Sequence, residues 1–324
     1  MKVLISGARG FVGKELTQRL VSEGHEIYSA VRSGQPATPG VLDVLVSNTT
    51  TAAEWQSILH NIDVVFHLAA RVHVMKDNSA DPLASYLQSN VQFTTELATY
   101  AAAAGVKRFV FISSIKVNGE STNTKAFTEI DKPDPQDPYA ISKLRAEESL
   151  LAVGWDTGME VVILRPPLVY GPGVKANFLS LLQVADRMVP LPLSCISNTR
   201  SLIYVGNLVD ALILCATHAA AKNQLFLVCD ETSISTPQLI KNIAFALGRP
   251  CMLFPFPLST LRLGAKLTSK VAFLDRLTQS LVIDNTKIRN LLNWKPPYTM
   301  EQALKTTAEA YMQNKKRNTS KSPL

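Results

Sequence analysis

Residues 1–13 read MKVLISGARGFVG. Lys2 to Ser6 is a short apolar run suited to a buried strand, and Gly7, Gly10 and Gly13 follow it in the spacing G-x-x-G-x-x-G. The next stretch, GKELTQRLVSEG (13–24), sets Leu16 and Leu20 on one helical face. A glycine turn between a strand and a helix is the context that a dinucleotide site requires. Gly7 permits the tight turn, Gly10 lets backbone approach a pyrophosphate, and Gly13 lets the helix lie close to the strand. Phe11 and Val12 complete the turn, and the free N–H groups of the helix start would face the phosphates.

Beyond the turn, strand and helix signals alternate. HEIYSAV (25–31), DVVFHLAA (63–70), KRFVFISS (107–114), MEVVILRP (159–166) and QLFLVCD (224–230) read as short buried strands. Residues 82–105 read as one long helix closed by Gly105, and 138–153 as a helix with proline at its start. Such alternation predicts an α/β fold, a Rossmann doubly wound parallel sheet covered on both faces. After Pro166 the chain turns rich in proline, glycine and leucine, then gives a strand and helix from 201 and helical segments from 235. The expected division is a dinucleotide domain of 1–165 plus about 202–230, and a smaller, mixed, discontinuous lobe of about 166–201 plus 231–312. A ligand would lie between them, at the carboxyl ends of the strands.

Composition excludes several classes. Apolar residues make up 46% and charged residues 18% of the 324, a globular rather than disordered balance. Cys195, Cys215, Cys229 and Cys251 form no C-x-x-C pair, which argues against a disulfide scaffold or zinc site and fits the reducing cytoplasm. No apolar run is long enough to enter and span a membrane, and no basic helix interleaved with aromatics suggests nucleic acid. Of the net charge of +7, the polar tail 313–324 carries four, from Lys315, Lys316, Arg317 and Lys321, and is expected to be disordered.

Tyr139-Ala-Ile-Ser-Lys143 places a phenol and an ammonium on one face of a helix. Taken alone this is an ordinary surface pair. It follows, however, the strand that ends Phe111-Ile112-Ser113-Ser114, and strand ends in this fold face the cofactor. The nearby cation is expected to lower the phenol toward the range of a general acid or base. His67 reads as a packed strand residue.

With GARGFVG (7–13), HLAA (67–70), Asn90 in YLQSNV, FISSIKV (111–117), YAISK (139–143), LRPPLVYGPG (164–173) and RSLIYVGNLVDA (200–211), in that order, the chain resembles an extended short-chain dehydrogenase/reductase of the NAD-dependent epimerase/dehydratase family, nucleotide-sugar branch. The resemblance runs to about residue 297. It implies Ser114, Tyr139 and Lys143 as the catalytic set, with Ser114 and Tyr139 on the substrate. Asn90, Leu68, Ala69, Ala70, Pro166 and Leu168 would attend the cofactor. Asn177, Arg200 and Arg276 would grip the diphosphate of a UDP-sugar, a task that suits arginine's forked donors. His73 and Met75 would stand near the pocket mouth, PLPL (190–193) would form a wall, and Asn48 would replace an aspartate near adenine. A homodimer through helices 83–104 and 138–153 is also implied, the small run Ala101 to Ala104 permitting close packing.

Within the branch, FISSIKVNGE and RPPLVYGPGVKANF resemble reductases of UDP-linked 4-keto-6-deoxy-N-acetylhexosamines that make UDP-N-acetylquinovosamine for O-antigen and lipopolysaccharide biosynthesis. The rivals are a UDP-hexose or UDP-N-acetylhexosamine 4-epimerase with retained NAD, and a non-catalytic dinucleotide sensor, which an intact Ser-Tyr-Lys set disfavours. Where an acid would bind the adenosine ribose, the chain has Val31, then Arg32, with Arg9 in the glycine turn. That pattern favours NADP(H) over NAD(H), and so net reduction.

Overall fold

The computed structural model describes residues 1–32, 38–47, 49–71, 81–268 and 271–319. The first half runs β1 (Lys2–Ser6), α1 (Phe11–Ser22), β2 (Glu26–Val31), β3 (Val41–Leu45), α2 (Ala52–Leu59), β4 (Val64–His67), α3 (Pro82–Tyr86), α4 (Phe93–Ala103), β5 (Arg108–Ile112), α5 (Pro138–Thr157) and β6 (Glu160–Arg165). The second runs β7 (Leu168–Tyr170), α6 (Ala176–Asp186), β8 (Leu202–Tyr204), α7 (Val205–Thr217), β9 (Gln224–Leu227), α8 (Thr236–Ala246), α9 (Leu258–Leu267), α10 (Val271–Thr278), α11 (Thr286–Leu292) and α12 (Met300–Thr319).

Seven strands form one parallel sheet in the order β3-β2-β1-β4-β5-β6-β9. Because side chains alternate across a strand, each strand feeds two cores. Val3, Ile5, Phe66, Val110, Val162 and Leu164 pack under α1 and α7. Leu4, Val65, Phe109, Phe111, Val161 and Ile163 pack under α2, α4 and α5. The sheet order reverses between β1 and β4, so the glycine turn after β1 opens at the switch point where ligands bind. β7 and β8 pair with each other outside the main sheet, and α6, α8 and α12 share a separate core with Tyr170 and Tyr204.

Several expectations change. β3 and α2 have no counterpart in the sequence reading, although Thr51 and Glu54 form a capping box that marks the start of α2. The segment 82–105 is not one regular helix, because a π-helical turn at Leu87–Gln92 separates α3 from α4. Of the small run Ala101 to Ala104, Ala101 is fully buried against the sheet and Ala103 is exposed. Residues 313–319, expected in a disordered tail, continue α12, and Lys315 bonds the buried Asp186 together with Arg249 and Tyr311. Asn48, His73 and Met75 lie outside the described residues. All four cysteines are free, and no cluster of metal-ligating side chains occurs among the described residues. No helix among them is long and apolar enough to cross a membrane.

Candidate active site

The glycine turn is built from close backbone contacts. Gly7 adopts φ +79°, and a Cβ there would stand 2.7 Å from the Ala69 nitrogen. A Cβ at Gly13 would stand 2.1 Å from the Gly7 carbonyl oxygen and 2.8 Å from the Ala8 Cα. Gly10 donates its N–H to the Gly7 carbonyl at 2.9 Å and caps α1 with backbone alone. With no side-chain cap and no acidic residue in its first turn, α1 keeps its first amides open. That donor set fits the diphosphate of NAD, with the half-buried Leu68, Ala69 and Ala70 beside it at the end of β4.

Beside the glycine turn the structure pairs Arg9 with a carboxylate. The Arg9 guanidinium does not stand ready for an added phosphate: its Nη2 lies 2.8 Å from Asp43 Oδ2. Asp43 belongs to β3, beside Ser29 of β2, so a carboxylate does stand near the turn, on a neighbouring strand. Arg32 is exposed just past Val31.

From Ser6 at the end of β1 runs a buried hydrogen-bond chain. Thr94 Oγ1 donates to the Asn90 carbonyl at 2.5 Å, so it can only accept from His67 Nε2, at 2.7 Å. His67 Nδ1 is then the acceptor for the Ser6 hydroxyl. Burial, and next the charge of Lys143, push the imidazole down to about 3, which keeps it neutral. His67 is thus a packed connector, stacked on Phe111 with ring centroids 5.4 Å apart.

Asn90 lies on the π-helical turn, a form of local irregularity common at functional sites. Its Oδ1 accepts the Arg71 N–H at 2.7 Å, and its Nδ2 donates to the Arg71 carbonyl at 3.1 Å and to Ser142 Oγ at 2.9 Å. Ser142 in turn donates to the Tyr139 carbonyl at 2.8 Å. Asn90 therefore fixes both the segment after β4 and the helix that carries Tyr139 and Lys143.

That helix is placed by its first residues. Asp137 caps α5 through the Ala140 N–H at 2.7 Å, and Pro138 occupies the first helical position. Tyr139 follows and shares a hydrogen bond with Ser114. Ser114 leaves β5 and caps the short 3-10 turn Ile115–Val117, accepting the Lys116 N–H at 3.3 Å. Lys143, buried one helical turn on, donates to the Ile112 carbonyl at 2.7 Å and lies 4.3 Å from the Phe111 ring centroid. Pro166 accepts the Ile115 N–H at 3.0 Å, and Leu168 is partly exposed at the start of β7.

The expected lowering of Tyr139 does not occur in the chain itself. Burial first, and then the Asp137 carboxylate, push its phenol up to about 12 despite the Ser114 hydrogen bond. Burial also pushes Lys143 down to about 7, partly offset by Glu147. Desolvation penalises both charged forms and is the largest cause in each case.

The sequence reading missed the support beneath this set. Arg165, at the end of β6, grips Glu147 at 2.9 and 2.5 Å, and both are nearly inaccessible. Arg165 also donates to Asn118 Oδ1 at 2.8 Å, joining β6, α5 and the end of the Ser114 turn. A signal existed: Glu147 stands four residues after Lys143, on the same buried helical face.

The residues expected to grip a diphosphate lie on the later part of the chain. Asn177 is half-buried at the start of α6, next to Ala176, which adopts φ +51°. Arg200 is half-buried and donates to the Gln279 carbonyl at 3.0 Å, while Arg276 is exposed on α10. Leu193 of the PLPL stretch is buried against Ile196 and Ile240. A cavity of about 740 Å³ adjoins the Ser114 turn, touched by Asn118, Glu120 and Gln279.

Comparison with known proteins agrees with this architecture. The chain is 42% identical over 314 residues to a UDP-glucose 4-epimerase of Vibrio cholerae, covering 96% of this chain and 95% of that one. The fold matches the UDP-glucose 4-epimerase of Thermotoga maritima solved with UDP-glucose, with TM-score 0.77 at 23% identity over 97% of this chain and 99% of that one. It also matches MoeE5 in complex with UDP-glucuronic acid and NAD, with TM-score 0.76 at 26% identity over 97% of this chain and all of that one. The sequence model of the NAD dependent epimerase/dehydratase family covers residues 3–229, a span that holds the glycine turn, the Asn90 support and the Ser114, Tyr139 and Lys143 group. This chain is a member of the NAD dependent epimerase/dehydratase family.

Proposed function

We propose that the protein is a 4-epimerase of UDP-hexoses or UDP-N-acetylhexosamines that retains NAD through turnover. The observation that carries this reading is the Ser114–Tyr139 hydrogen bond just past the end of β5, with Lys143 buried one helical turn away. The near full-length identity to a UDP-glucose 4-epimerase, and the fold shared with a protein holding UDP-glucuronic acid and NAD, support it. In this reading NAD, held by the glycine turn, would supply the hydride acceptor at C4 of the sugar and the donor for its return to the opposite face. Tyr139 removes the proton from the C4 hydroxyl and later gives it back, while Ser114 holds that oxygen in place. Lys143 would hold the nicotinamide ribose. Arg200 and Asn177 would hold the diphosphate and so orient the sugar, the step that makes proton and hydride transfer effectively unimolecular.

The 4-keto reductase remains as a second reading, favoured by Val31 in place of an acid and by the exposed Arg32. The ion pair between Arg9 and Asp43 weighs against it, since it commits one of the two arginines and brings a carboxylate close. One experiment separates the two. The protein is incubated with UDP-glucose, and separately with UDP-N-acetylglucosamine, without added reductant, and the galacto products are followed. Interconversion supports the epimerase. Its absence, together with oxidation of NADPH by a UDP-4-keto-6-deoxy-N-acetylhexosamine, refutes it. In the reductase case Arg32→Ala would weaken NADPH binding far more than NADH binding.

A further inference from the structure

The 3-10 turn that begins at Ser114 carries a cation whose position the proposed reaction does not use. Lys116 Nζ lies 2.6 Å from Asp137 Oδ2 and 2.7 Å from Glu120 Oε1, and its side chain is 22% exposed. Asp137 divides its carboxylate: Oδ1 caps α5 at the Ala140 N–H, and Oδ2 meets Lys116. Tyr139 is the second residue of that helix. The side chain of Lys116 therefore ties the turn that ends β5 to the start of α5, the two segments whose separation sets the Ser114–Tyr139 hydrogen bond.

We propose that Lys116 is a positioning residue for Tyr139: its ammonium, bridging Asp137 and Glu120, locks the Ser114 turn onto the first turn of α5 and masks the Asp137 carboxylate from the phenol. This rests on the acid/base role given to Tyr139 above. The groups around the phenol make the masking consequential. Ser114 bonds it, Tyr86 meets it edge-on at 6.3 Å with Arg71 over the far ring, and Lys143 lies on the next turn, backed by neutral His67 and by Glu147. Asp137 is the carboxylate that raises Tyr139.

The test uses the NAD-loaded protein and two readouts. Tyrosinate absorbance is titrated against pH, with Tyr139→Phe subtracting every other tyrosine. The acidic limb of kcat is measured on UDP-glucose. Lys116→Met is expected to move both upward by about one pH unit, since an unmasked carboxylate disfavours the phenolate. Lys116→Arg keeps the bridge and should leave both within about a third of that shift. Asp137→Asn in the Lys116→Met background retains a capping side chain without the charge, and should return both toward the parent. A Lys116→Met titration equal to the parent's, or a double variant as displaced as the single, overturns the proposal. The absorbance titration needs no substrate, so it judges Lys116 even if UDP-glucose is not turned over. Full turnover by Tyr139→Phe would instead refute the acid/base role itself.

Discussion

Lys143→Met should abolish turnover while making the protein more stable at neutral pH. Lys143 titrates at 10.5 when unperturbed and is pushed down to about 7 in the fold, where it is 2% exposed. Between pH 7 and 10.5 the unfolded chain holds this proton and the folded chain has released it. Unfolding therefore takes up a proton, and stability rises with pH across that window. At pH 7 the burden of burying this group is about 4 kcal/mol, at 1.36 kcal/mol for each unit of difference. Against it stand the hydrogen bond to Ile112 and the contact over Phe111, worth together about 2 kcal/mol. Methionine matches the alkyl stem and packs well against an aromatic ring. The net expectation is a gain of about 2 kcal/mol at pH 7, shrinking and then reversing toward pH 10 as the parent loses its burden. Urea unfolding at both pH values, with unchanged m, measures this. A variant less stable than the parent at pH 7, or a difference that does not move with pH, would refute the reasoning that Lys143 is held at a thermodynamic cost for its chemistry.

Two further outcomes follow from the geometry. Gly13→Ala should cost about 3 kcal/mol and weaken NAD binding more than tenfold, because the new methyl meets the Gly7 and Ala8 backbone, which no side-chain rotation relieves; an unchanged urea midpoint and NAD affinity would contradict this. Glu147→Gln should cost about 3 to 5 kcal/mol by leaving the Arg165 charge buried, whereas the double change Glu147→Leu with Arg165→Met should recover most of that stability. If single and double variants lose equal stability in urea, the pair is not the source of the cost.

Part of the candidate site was legible in the linear chain, because glycine spacing and helical periodicity are local constraints. Gly7, Gly10 and Gly13 announce themselves by spacing and by the strand before them. Tyr139 and Lys143 share a helical face by periodicity, and Asp137-Pro138 is an ordinary start signal for that helix. The apolar runs of β1, β4, β5 and β6 were long enough to be read as strands of a parallel sheet. β3, with Leu42 and Leu45 exposed, was not, since an edge strand needs less apolar pattern.

The sequence alone, then, determined the α/β class and the strand–glycine turn–helix unit, and it set Tyr139 and Lys143 on one helical face, all of which depend on neighbours within a few residues. Tertiary structure decided what charges those groups meet. Arg9 finds Asp43 across two strands, Lys116 finds Asp137 at 21 residues' remove, and Arg165 finds Glu147 beneath Lys143. It also reversed the expected direction for Tyr139, which is raised rather than lowered. The reason is physical: periodicity reports which face a side chain occupies, but desolvation and charge pairing depend on what the fold packs against that face.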